Sequence, residues 1–98
     1  MILKKDRGIK LKLKEGFVFR KIAGDNVVVP VGQQISKFNG LIKLNESGAF
    51  LWNILKEGCS KEELVDKLLE EYEIDRDFAE NDVEKFINIL KERDMLEV

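Results

Sequence analysis

Gly40-Leu41-Ile42-Lys43-Leu44-Asn45-Glu46-Ser47-Gly48-Ala49-Phe50-Leu51-Trp52 is the stretch whose reading decides the fold. Leu41-Ile42-Lys43-Leu44 has strand character. Asn45 is an N-cap, since its side-chain oxygen can accept an unpaired backbone N–H of a first helical turn. Glu46 places negative charge at the positive end of the helix dipole. A strand that feeds a helix with no loop between them has a fixed geometry, and it can present one edge and one groove to a partner.

Upstream, Ile9-Lys10-Leu11-Lys12-Leu13-Lys14 alternates with period two, as an edge strand or extended arm does. Phe17-Val18-Phe19-Arg20-Lys21-Ile22 is aromatic and β-branched, hence a strand. Ala23-Gly24-Asp25-Asn26 supplies turn residues, and Val27-Val28-Val29 returns as the second arm of a hairpin that Pro30 ends. Gly32 to Gly40 is a polar connection carrying Phe38, and Leu41–Leu44 is the third strand.

Downstream, the Asn45-capped helix ends near Glu57, with Gly58 as its stop. Ala49, Leu51, Trp52 and Leu55 form its apolar stripe, so Trp52 reads as core. Ser60-Lys61-Glu62-Glu63 is a capping box that opens a second helix carrying Leu64, Val65, Leu68, Leu69 and Tyr72 at helical spacing. Asp75 or Asp77 caps a third helix, whose core stripe is Ala79, Val83, Phe86, Ile87 and Leu90. Phe78, Asp82, Lys85 and Ile89 lie on an adjacent face. Met95 to Val98 closes the chain as a short extended tail. The expected fold is a small α+β domain: a three-stranded antiparallel sheet followed by three helices.

Composition narrows the function. Ninety-eight residues make one domain. Histidine is absent and cysteine occurs once, which removes the commonest general base, a Cys–His nucleophile and a Cys/His zinc site. No cofactor or metal site is expected. Cys59 reads as a small inter-helix turn residue. A lone cysteine, no apolar run long enough to span a membrane and no signal-peptide pattern give the expectation of a cytoplasmic protein. Net charge is +4 over residues 1–16, +3 over 17–44 and −9 over 45–98. Helices that acidic are poor phosphate binders.

The residues resemble the PqqD family. The resemblance is carried by Phe17-Val18-Phe19-Arg20, Val27-Val28-Val29-Pro30, Phe38 to Trp52, Gly58, Glu62-Glu63-Leu64 and Asp82-Val83-Glu84-Lys85-Phe86. It spans residues 16–98 and is most specific at Leu44-Asn45-Glu46-Ser47-Gly48-Ala49. The division it implies is residues 1–15 as a basic arm or edge strand and 16–98 as a peptide-binding domain. Members are peptide-recognition elements in the making of ribosomally synthesised, post-translationally modified peptides; PqqD itself serves pyrroloquinoline quinone biosynthesis. The resemblance implies a winged helix-turn-helix-like fold and a non-catalytic peptide chaperone. The leader of a precursor peptide adds as a strand to the third strand, lies in the groove with the third helix, and is presented to a modifying enzyme, for PqqD a radical S-adenosylmethionine enzyme.

On this chain the implied peptide-binding residues are Leu41, Ile42, Lys43 and Leu44 on the strand and Phe78, Asp82, Lys85, Phe86 and Ile89 on the helix. By residue pattern Phe86 also belongs to the core stripe. Ile42→Pro is the expected way to delete a donor from the ladder that the leader joins. The expected partners are a leader peptide and its enzyme, with no nucleic acid and no membrane, and the chain is a monomer or weak homodimer. The alternative is a winged-helix nucleic-acid-binding regulator, which the helix order permits and the carboxylates Asp77, Glu80, Asp82 and Glu84 oppose. An enzyme is disfavoured, since no pair of catalytic groups stands out.

Overall fold

The hairpin forms because Ala23 and Gly24 both take positive φ, 52° and 86°. These are the dihedrals of a two-residue turn whose twist matches the strands it joins. Such a turn consumes only two residues. In the computed structural model, which describes residues 10–38 and 40–97, Asp25 and Asn26 therefore belong to the ladder rather than to the turn. Strand β2 (Phe17–Ile22) pairs antiparallel with β3 (Asp25–Pro30), from Ile22↔Asp25 to Phe17↔Pro30. Strand β1 (Lys12–Leu13) precedes them. Readings that fall on residues 1–9, including Ile9 of the alternating arm, and on Asn39 and Val98 lie outside the described residues.

Strand β4 (Ile42–Leu44) pairs with the other side of β3, so the sheet order is β2-β3-β4. Leu41, expected in this strand, stands one residue before it. The polar connection holds a single helical turn, α1 (Gln34–Lys37), and then Phe38, which is buried and meets Phe17 edge-to-face at 5.0 Å. A one-turn helix has no amphipathic period to betray it in sequence.

Three longer helices follow, each opened by a side-chain cap. Asn45 accepts from the Gly48 N–H at 2.8 Å and starts α2 (Glu46–Leu55). Ser60 and Glu63 bond each other's backbone N–H at the start of α3 (Lys61–Glu71), the expected capping box. The Glu63 carboxyl is held below its ordinary range chiefly by the hydrogen bond from the Ser60 N–H. Asp75, not Asp77, caps α4 (Arg76–Glu92) by accepting from the Phe78 N–H at 2.8 Å. Strand β5 (Leu96–Glu97) ends the described chain.

The core lies between the helices and one face of the sheet. Val28, Ile42 and Leu44 from the sheet meet Leu51, Trp52 and Leu55 of α2, Leu64, Val65 and Leu68 of α3, and Ala79, Val83, Phe86, Ile87 and Leu90 of α4. Trp52 is buried, as its place on the apolar stripe requires. The tail is more than an extension: β5 pairs antiparallel with β1, Lys12 opposite Glu97 and Leu13 opposite Leu96. The lysine-bearing arm thus meets the far end of the chain. Four helices and a three-stranded antiparallel sheet make this an α+β fold among the described residues. No helix among them is long and apolar enough to cross a membrane.

Candidate functional site

The register fixes which backbone groups of β4 are spent and which are offered. A two-residue turn makes Ile22 and Asp25 a hydrogen-bonded pair, and such pairs then alternate along the ladder. The Val31 N–H bonded to the Gly16 carbonyl at 2.8 Å continues that phase. Asn26 and Val28 therefore turn their backbone groups toward β4, where they stand opposite Leu44 and Ile42. Ile42 and Leu44 spend their N–H and C=O on β3, while Lys43 turns both of its groups outward to an edge with no partner strand among the described residues. The side chains alternate likewise: Ile42 and Leu44 are buried and Lys43 is exposed, its ammonium 3.5 Å from the Asp25 carboxylate.

This phase corrects one expectation. A proline at Ile42 removes a donor to β3 and damages the sheet itself. The donor facing outward belongs to Lys43, and sequence without register cannot make that distinction.

The helix side follows from α4's periodicity. Phe78, Asp82, Lys85 and Ile89 recur at helical spacing along one flank. Phe78 is 59% exposed and Ile89 39%, with Asp82 half-buried and Lys85 exposed. Leu41, at the mouth of β4, is 48% exposed. Three of the six exposed large apolar residues among those described thus belong to this candidate set. Phe86 is placed differently: it is 4% exposed and lies in the core cluster.

The flank is tied to the strand at its end. Arg93, four residues past Ile89, stacks over the Phe38 ring at 4.6 Å, and Phe38 leads into β4 through Gly40. Neither Arg93 nor Phe38 was expected at the site. The signal was Arg93's continuation of the Phe78–Ile89 spacing past the core stripe. α3 lies across the opposite flank, where the Lys61 ammonium meets the Glu84 carboxylate at 2.6 Å and Arg76 reaches Glu62 and Asp66 at 3.7 and 3.4 Å.

A cleft of about 810 Å³ lies on that opposite flank between Leu11, Val65, Glu62, Asp77 and Glu80. A smaller one of about 410 Å³ adjoins β2 and α2 at Phe19, Trp52 and Lys56. Neither is lined by the β4 edge or the Phe78–Ile89 stripe. Among the described residues no group of three or more His, Cys, Asp or Glu side chains is arranged to hold a metal ion.

The family model described as Coenzyme PQQ synthesis protein D (PqqD) matches residues 26–96. The chain belongs to the PqqD family. That match takes in β3 from Asn26 onward, β4 and all three long helices, and leaves β1 and β2 outside it. Two solved structures are similar to this PqqD-family chain. TbiB1, in complex with the TbiA(beta) leader peptide, is 28% identical with a TM-score of 0.71, over 88% of this chain and 94% of that one. Lasso peptide synthetase B1, complexed with the leader peptide, is 24% identical with a TM-score of 0.70, over 90% and 98%, a likeness of fold. No curated protein matches the chain.

Proposed function

We propose that this protein is a non-catalytic recognition element that binds the leader of a ribosomally made precursor peptide. The leader adds as a strand to the open edge of β4, lies against the Phe78–Ile89 flank of α4, and is presented to a modifying enzyme. The observation that carries this reading is the outward-facing backbone of Lys43 at the open edge of β4, taken with a flank of α4 that leaves Phe78 and Ile89 uncovered and is followed by Arg93 on Phe38. Strand addition draws affinity from main-chain hydrogen bonds and specificity from alternate side chains. Two neighbouring folds hold leader peptides, which supports the same occupant here.

Within this reading Leu41, Phe78 and Ile89 are the apolar contacts, and Lys43 and Lys85 receive acidic leader residues. Asp82 is the polar contact between them. Phe86 supports the helix from beneath. A leader disordered when free orders on contact, which moderates its affinity. The family resemblance points to a radical S-adenosylmethionine enzyme as the recipient and to the cytoplasm as the setting.

The test is titration of a labelled precursor peptide encoded beside this protein's gene. The wild type binds it. Lys43→Pro keeps the β3 ladder, because an edge N–H that faces outward is dispensable to the sheet. It should weaken binding about tenfold or more, through the lost donor and the ring in its place. Lys43→Ala, which keeps the N–H, loses less. A folded Lys43→Pro protein with wild-type affinity would overturn strand addition at β4.

A further inference from the structure

The lysine-bearing arm takes no part in the proposed groove and precedes the matched family region, yet residues 11–14 are tied to the fold at several points. Leu11 and Cys59 exchange backbone hydrogen bonds, Leu11 N–H to Cys59 C=O at 2.7 Å and the return bond at 3.3 Å. Lys12 and Leu13 pair with β5. Lys14 grips the residues just past α4 twice, its N–H on the Met95 carbonyl at 2.8 Å and its ammonium on Asp94 at 2.9 Å. Leu11 and Leu13 pack on the core beneath.

These ties join two distant places, the turn between α2 and α3 and the exit of α4. At that exit the chain bends sharply: Asp94 has φ of 58°, and Met95 plunges into the core. One residue earlier stands Arg93, stacked on Phe38 at 4.6 Å at the approach to β4. A line of contacts therefore runs from the arm, through the end of α4, to Phe38 at the approach to β4.

We infer that residues 11–14 act as a positioning strap for the peptide groove, holding the last turn of α4, with Ile89 and Arg93, at the spacing from β4 that an added strand requires. The inference rests on the peptide-binding reading. Lys14 touches no peptide in it; it acts through Asp94 and Met95. A strap that only stabilised the fold would change the unfolding temperature and leave the folded protein's affinity alone.

The experiment uses the full chain with Lys14→Glu, Asp94→Lys and the charge-swapped double variant. All are titrated with the same labelled precursor peptide at a temperature where circular dichroism shows each folded. Each single variant should bind about threefold more weakly, the scale of one exposed ion pair, and the double variant should recover most of the loss. Amide exchange at Ile89–Arg93 should quicken in the single variants and slow again in the double. If Lys14→Glu does not fold, Lys14→Met removes the ion pair and keeps the backbone bond. Unchanged affinity in folded single variants of a binding-competent wild type overturns the strap alone. A wild type that binds no leader overturns the groove reading, and the strap's role falls with it.

Discussion

On the side of α4 that faces α3, charged groups find one another: Glu84 with Lys61, and Arg76 with Glu62, Asp66 and, at 3.9 Å, Glu80. On the other side Phe78 and Ile89 stand in solvent with Asp82 and Lys85 between them. The larger of the two clefts belongs to the first side, so cavity size and uncovered apolar area point to different flanks. A polar wall whose charges are already paired offers little new energy to a partner. Uncovered apolar area still has its transfer free energy to give, about 25 cal/mol per Å².

The strip between the flanks is where substitution should cost most. Leu90 is fully buried, and Leu90→Ala should lower stability by about 2–5 kcal/mol in urea unfolding. Because it supports both flanks, it should weaken leader binding only as far as it unfolds the chain. On the exposed flank, Phe78→Ala and Ile89→Ala should each cost about 1–2 kcal/mol of leader affinity by calorimetry with little change in thermal midpoint. If they destabilise the fold and spare binding, the contrast between the flanks is broken.

Alkaline pH probes the packing from outside α4. Burial is the main cause pushing the Cys59 thiol up to about 11, with Glu63 adding to it and Lys10 opposing. Its protonated form is favoured by folding, so the stability it contributes is complete below the ordinary value of 9.0 and is lost as pH rises toward 11. Urea melts on either side of that window should show the fall, and Cys59→Ala should flatten it. The smallest effect belongs to the paired flank. Arg76→Met should cost at most about 1 kcal/mol of stability, less in high salt, and leave leader affinity within about twofold. A larger loss of affinity there would mean that the peptide uses the wrong side of the helix.

Much of the fold is legible in local pattern. Asn45 and Ser60 announce their helices because a cap needs only neighbours three residues away, and the α2 and α4 core stripes follow helical spacing. The choice between Asp75 and Asp77 depended on which backbone N–H lay in reach. Pairing of the arm with Leu96–Glu97 escaped because two-residue strands at opposite ends of a chain leave no periodic signature. For the site, Leu41, Lys43, Phe78 and Ile89 stand exposed. Phe86, carried over by resemblance, is buried. The outward phase of β4 was beyond reach, since alternation of side chains does not say which neighbour receives the backbone bonds.

Strand β4 is three residues long and turns both backbone groups outward at Lys43 alone. A peptide added there is held by a single rung, and one rung does not define a reading frame: the guest can slide by two residues and meet the same host groups. Frame would then be kept by the helix flank, where bulky side chains admit some sequences and stall others. In such a coupling the backbone clasp would be generic and the fit of a few side chains would set the dwell time.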